Sequence, residues 1–121
     1  MFLAMSNKSQ QLLCLNYIGE VRPAELKRNR ENLKSLLAEL KPGFRLLANL
    51  SQLEFMAVDC AAEIGRNMEL VDQAGVGMIV RVIPDPNKDI GMNILTLFHY
   101  PHHPQIITCE TMTEAARHLS L

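Results

Sequence analysis

Phe44-Arg-Leu-Leu-Ala-Asn-Leu-Ser-Gln-Leu-Glu-Phe-Met-Ala-Val-Asp-Cys-Ala-Ala-Glu-Ile-Gly-Arg-Asn-Met68 changes its period part-way along, and that change decides the fold. Residues 44–50 are an apolar run of strand length, Asn49 and Ser51 form a polar break, and Ala57, Ala61, Ile64, Met68 and Val71 then recur at helical spacing. The reading is a buried strand that feeds a helix.

Upstream, residues 2–5 and 10–18 are apolar runs around the turn-prone Ser6-Asn7-Lys8-Ser9, the pattern of a β-hairpin that Gly19 closes. Arg22-Pro23 then opens a helix, since proline at the first helical position gives up an N–H that had no intrahelical partner. Leu26, Leu33, Leu36, Leu37 and Leu40 keep helical spacing until Lys41-Pro42-Gly43 stops it. Downstream, the helix of the quoted stretch runs to about Gln73, where Ala74-Gly75 supplies its cap. Residues 76–83 are almost wholly apolar, as a strand covered on both faces should be, and Pro84-Asp85-Pro86-Asn87 breaks it. Ile90, Ile94, Leu97 and Phe98 predict a short helix capped by Asp85 or Asn87. Residues 99–104 read as a loop and 105–109 as a last short strand. Thr111 and Glu114 have capping-box spacing ahead of a final helix.

A hairpin followed by alternating helices and strands can bury its strands only as a mixed sheet, so the class is α/β. Ligands and partners of such sheets gather where carboxyl ends of strands meet helix starts. That rim carries Gly19 and Glu20, residues 49–51, residues 84–87 and residues 110–113.

Composition narrows the classes. The 121 residues, 48% apolar and 21% charged, suit one domain spanning 1–121 with its own core. A net charge of −1 argues against a nucleic-acid binder held by bulk charge. Cys14, Cys60 and Cys109 are an odd number without a Cys-x-x-Cys pair; they read as reduced, buried small hydrophobes. The apolar run at residues 1–5 is too short for a signal peptide or a membrane span, so the expected location is the cytoplasm.

The order of elements, together with residues 49–60, is similar to the STAS domain, the fold of the bacterial anti-sigma-factor antagonists. That family shows Asp-Leu-Ser at the end of a central strand, an apolar pair, and Asp-Ser-Ser-Gly at a helix start, the first serine being phosphorylated to release the partner. Here Asn49-Leu50-Ser51 and Phe55-Met56 match the first two parts, and the tetrad falls on Ala57-Val58-Asp59-Cys60. Val58 has no hydroxyl and Cys60 replaces the glycine. The resemblance therefore implies a divergent branch without the phosphoserine, in a superfamily that has a lipid-carrier-like cousin.

The remaining candidates are single residues or short clusters. Asp59, in the first helical turn, is either a fixed negative charge where a phosphate would sit or a complement to the helix macrodipole. A phosphate on Ser51 would mark a displaced switch. His99, His102 and His103 share a proline-bounded loop from which neighbouring imidazoles point apart, so no metal is expected. Cys109 and those histidines lie at opposite ends of one strand, and no Gly-x-Ser-x-Gly, Gly-x-Gly-x-x-Gly or phosphate-loop pattern occurs; the sequence points away from an enzyme and calls for no cofactor. Arg22, Lys27, Arg28, Arg30 and Lys34 make the first helix cationic, either as a solvated face or as a docking surface for an acidic partner or anionic lipid. Arg81, inside an apolar strand, needs either an exit to solvent or a carboxylate partner, and Asp85 is the nearest.

The expected function is a non-catalytic regulatory or protein-binding module. Its partner, a kinase-like or sensor protein, would engage Ser51, Gln52, Val58, Asp59, Asp85 and Asn87. The alternative is a carrier or sensor of a small apolar or lipid-like ligand, in which Met56, Met68, Met78 and Met92 line an adaptable pocket. Exposure of Phe55 and Met56 would favour a homodimer.

Overall fold

Apolar alternation along consecutive strands builds two covered faces on one sheet. The computed structural model describes residues 1–83 and 101–121. In chain order these form β1 (Phe2–Asn7), β2 (Leu12–Tyr17), β3 (Gly19–Val21), α1 (Pro23–Arg28), α2 (Arg30–Ala38), β4 (Arg45–Asn49), β5 (Leu53–Met56), α3 (Cys60–Gln73), β6 (Met78–Val82), β7 (Gln105–Cys109) and α4 (Met112–Leu119). The helix expected over 90–98, with Asp85, Asn87, Met92 and His99, lies outside the described residues.

The main sheet has the order β1-β2-β4-β6-β7, with β1 antiparallel to β2 and the other pairs parallel. The two apolar runs that decided the class share it: Leu46 pairs with Ile79 and Asn49 with Val82. Successive side chains point to opposite faces. Leu13, Leu15, Leu46, Ala48 and Ile79 therefore meet Leu33 and Leu37 of α2 and Ile64, Met68 and Val71 of α3. Leu12, Leu47, Val80, Val82 and Cys109 meet Ala115 and Leu119 of α4 on the other side. Both faces of β6 are covered, as its unbroken apolar run predicts.

Three features depart from the expectations above. The first helix is broken at Asn29, whose side chain donates to the Glu25 carbonyl (2.8 Å) while its backbone sits at φ −86, ψ 0. Asparagine competing for helix carbonyls in this way is a local cost that leucine spacing does not reveal. A second, two-stranded parallel sheet joins β3 to β5; strands of three and four residues are too short for alternation to show. And α3 begins at Cys60, so Ala57 precedes the helix and Ala61 faces solvent, leaving Cys60, Ile64, Met68 and Val71 as its buried stripe.

The helix ends follow the sequence closely. Thr111 caps α4 by accepting from Glu114 N–H (3.2 Å). Gly75, at φ +90, ends α3 where a Cβ would lie 3.0 Å from that of Pro42. Its carbonyl accepts from Gly43 N–H (2.7 Å), which ties the end of α3 to the turn that starts β4.

Candidate functional site

β4 delivers Asn49 to the carboxyl end of the sheet, level with Asn16 and Val82 on its neighbours. The Asn49 Oδ1 accepts from both the backbone N–H (3.0 Å) and the hydroxyl (2.6 Å) of Ser51, and its Nδ2 donates to Asn16 Oδ1 (3.3 Å). Asparagine holding the N–H two residues on is a standard way to turn a chain. The Ser51 hydroxyl is therefore engaged in the turn and half-buried, and Leu50 N–H donates to Val82 O (2.9 Å) to pin the turn to the sheet.

Gln52 is exposed, and its carbonyl accepts from Gly19 N–H (2.9 Å) where β5 begins to pair with β3. The register then jumps from Gly19↔Leu53 to Glu20↔Phe55, which leaves Glu54 as an extra residue. A bulge of this kind re-aims the side chains that follow it. Leu53 is buried, yet Phe55, two residues on, is 57% exposed. Plain alternation would have put both inside, which is why sequence reasoning did not place Phe55 in the site. Met56 is half-buried.

After β5, Val58 stands 92% exposed and Asp59 occupies the N-cap of α3 in helical geometry, with no hydrogen bond from its side chain to the helix. Asp59 is thus at the N-cap, ahead of the first turn in which the sequence reading put it. Cys60 is buried, and its thiol donates to Val21 O (3.4 Å), clamping the helix start to β3. Burial, then the charge of Asp59, pushes the Cys60 thiol pKa up. Phe55 and Val58 are held within about 11 Å of each other by chain length alone. Ser51 and Gln52 lie at the other end of β5, separated from Val58 by about 13 Å of extended strand. The six residues expected to form one rim therefore split: Ser51 with Gln52, Val58 with Asp59, and Asp85 and Asn87 beyond the described residues.

Solved structures share this fold over nearly its whole length. SpoIIAA, an anti-sigma factor antagonist, in its unphosphorylated form aligns over 99% of this chain and 98% of its own at 18% identity and a TM-score of 0.63. The phosphorylated form of the Bacillus protein gives 98%, 99%, 16% and 0.64 in the same terms. An uncharacterised Shewanella loihica PV-4 protein of the DUF3478 family aligns over 98% of this chain and 92% of its own, at 13% identity and a TM-score of 0.70. The fold is SpoIIAA-like. No sequence-family model and no curated protein sequence matches the chain, so the likeness is one of structure.

In this SpoIIAA-like frame α3 is fastened to α2 as well as to β3. Arg30 Nη2 meets Glu63 Oε2 at 2.5 Å, its Nε donates to Asn67 Oδ1 (3.2 Å), and Arg66 reaches Glu63 Oε1 at 3.1 Å. Arg30 thus leaves the cationic face expected on the first helix and serves the α2–α3 contact. Arg22 pairs with Glu20 and Lys34 with Glu31, which thins that face further. The Arg30 guanidinium holds the Glu63 carboxyl below its ordinary value of 4.5. A carboxylate with a depressed folded pKa contributes stability above its unfolded pKa and loses it as pH falls through the folded one. Glu63→Gln, which cannot titrate, is therefore expected to flatten the loss of stability below about pH 4.5. Urea unfolding of both chains from pH 7 down to pH 3 checks this, and parallel curves would contradict it.

Beneath α3 lies a cavity of about 20 Å³ lined by Leu15, Tyr17, Ala48, Ile64, Met68 and Arg81 among others. That is room for about one water molecule. Met68 lines it, whereas Met78 faces the opposite side of the sheet, Met56 sits on β5 and Met92 lies outside the described residues. Buried Arg81 donates from Nη2 to Thr108 Oγ1 (2.8 Å), its ladder neighbour on β7; its expected partner Asp85 is beyond the described residues. His102 Nδ1 donates to buried Asp72 Oδ2 (3.0 Å) at the end of α3, while His103 is exposed at φ +50. Among the described residues no group of three His, Cys, Asp or Glu side chains is placed to hold a metal ion. No helix among them is long and apolar enough to cross a membrane.

Proposed function

We propose that this chain is a non-catalytic, regulatory protein-binding module of STAS type that docks its partner at the start of α3 and carries no phosphorylation switch there. The observation behind the reading is Val58: a β-branched apolar side chain held 92% in solvent on a turn anchored at both ends. Exposed Phe55 supplies a second apolar contact, and Asp59 and Gln52 supply polar ones at the margin. An apolar centre within a polar rim is the usual anatomy of a protein–protein interface. SpoIIAA, with the same fold, is an anti-sigma factor antagonist, which supports a protein partner, in this reading a kinase-like or sensor protein in the cytoplasm.

The Asp59 charge remains in place whatever the cell's kinases do, so the surface is constitutively presented. Ser51 belongs to this reading as the residue that holds the turn ahead of β5 through Asn49, and Asp85 and Asn87 stay in the proposed partner-binding set on sequence grounds alone. The carrier reading gains nothing from the cavity beneath α3, since ligand pockets are many times its volume.

Phosphopeptide mapping after incubation with extract and ATP tests the missing switch. The expected result is no phosphate on residues 44–68. Stoichiometric phosphate on Ser51 would overturn it, because the Ser51–Asn49 bond of 2.6 Å would have been given up for a displaced switch.

A further inference from the structure

β1 is an edge of the main sheet, and its sequence lacks the features that usually keep edges apart. Phe2–Asn7 contains no ionisable side chain, no proline and no bulge. Natural edge strands are normally blunted by such devices, because a free row of N–H and C=O groups is a template for another strand. Leu3 and Met5, on the same face two residues apart, are 41% and 52% exposed.

The ladder fixes which backbone groups are free. Met1 and Ile18 exchange both of their bonds, the N–H of each donating to the carbonyl of the other. In an antiparallel pair such residues alternate with residues whose groups point the other way. Residues 3, 5 and 7 therefore bond to β2, and Phe2, Ala4 and Ser6 turn their N–H and C=O groups outward. Among the described residues no strand lies on that side.

We infer that β1 pairs with β1 of a second copy of this chain, antiparallel and centred on Ala4, to give one continuous sheet through both molecules. That register satisfies every outward-facing group: Ala4 meets Ala4 of the partner subunit, and Phe2 of each copy meets the other copy's Ser6. It also sets Leu3 of each copy opposite the other's Met5 in a pair without backbone bonds, the kind in which side chains approach more closely. Four exposed apolar side chains then cover one another. Phe2–Asn7 brings no charge of its own to the pairing, the Met1 ammonium at its end is paired with Glu25 (3.5 Å), and the pairing is two-fold, so it closes at a dimer. Joining β1 to the opposite edge, β7, would instead be head-to-tail and open-ended.

Sedimentation equilibrium of the full chain tests this. The expected result is a concentration-dependent monomer–dimer equilibrium with nothing larger. Ala4→Pro removes the central outward donor, at a place where an edge strand tolerates proline, and should weaken the dimer about tenfold or more. Met5→Lys, on an exposed side chain, should do the same by setting an ammonium against the apolar Leu3 of the partner subunit in both cross-strand pairs. Far-ultraviolet circular dichroism shows that each variant has folded. A natural chain that stays monomeric, a dimer that survives either folded variant, or growth into longer polymers would overturn the inference. None of these outcomes touches the proposed docking at Val58, which is read by a different measurement.

Discussion

A chain carrying Val58→Asp is expected to bind its protein partner roughly 30-fold or more weakly and still unfold within about 0.5 kcal/mol of the natural chain. The two halves of that result have one cause. Val58 is 92% exposed and so contributes almost nothing to packing in the free protein. Its value lies in a complex, where it would be covered. There an introduced carboxylate must be stripped of water beside the charge of Asp59, and an unpaired buried charge is among the costliest substitutions available. Titration calorimetry against the partner captured at this site, paired with urea unfolding, separates binding from folding. Unchanged affinity would remove Val58 from the interface; a large loss of stability would mean that the turn is held by something other than Asn49 and Cys60.

Ile64→Ala should have the largest effect on the fold itself, about 2–5 kcal/mol. Ile64 is 2% exposed on the inner stripe of α3 and lines the same cavity as Leu15 and Leu46. Shortening it enlarges a void that the sheet below cannot close, because the strands are fixed by their ladders on both sides. Against a usual total of about 5–15 kcal/mol, this single change is a large fraction. Ala61→Ser makes the contrast: Ala61 shares the helical spacing that marked Ile64, but it faces solvent, and the change should cost less than about 1 kcal/mol. Urea midpoints for the two variants, at equal slope, decide the matter; equal losses would contradict the observed start of α3.

Those residues also show how far the sequence could be read. The strand at 44–50, the covered strand at 76–83 and the cap at Thr111 were legible, because each rests on a pattern that repeats over several residues or on side-chain chemistry local to one turn. Val58 lacks a hydroxyl in any conformation, and its inability to carry a phosphate is read from the residue alone. Phe55 could not be placed, because its exposure depends on a bulge at Glu54, and that bulge depends on β3 pairing with β5 across a gap of more than thirty residues. Arg30 reads from the sequence as part of a cationic helix face, solvated or docking, for a similar reason: its partner Glu63 is 33 residues away and comes within reach only once α2 and α3 pack. The break at Asn29 and the Asp72–His102 pair belong to the same class. Local periodicity is written in the chain; contacts that exist only after elements dock are not.

The most direct test puts a photo-activated cross-linking residue at position 58 of the full chain in its own cells, with a second chain carrying it at exposed Met112 as control. A discrete adduct with another protein from position 58, absent from position 112 and lost when Phe55→Asp is added, is the predicted result. Identical patterns from both positions, or an adduct at 58 that Phe55→Asp leaves untouched, would contradict a docking surface at the start of α3.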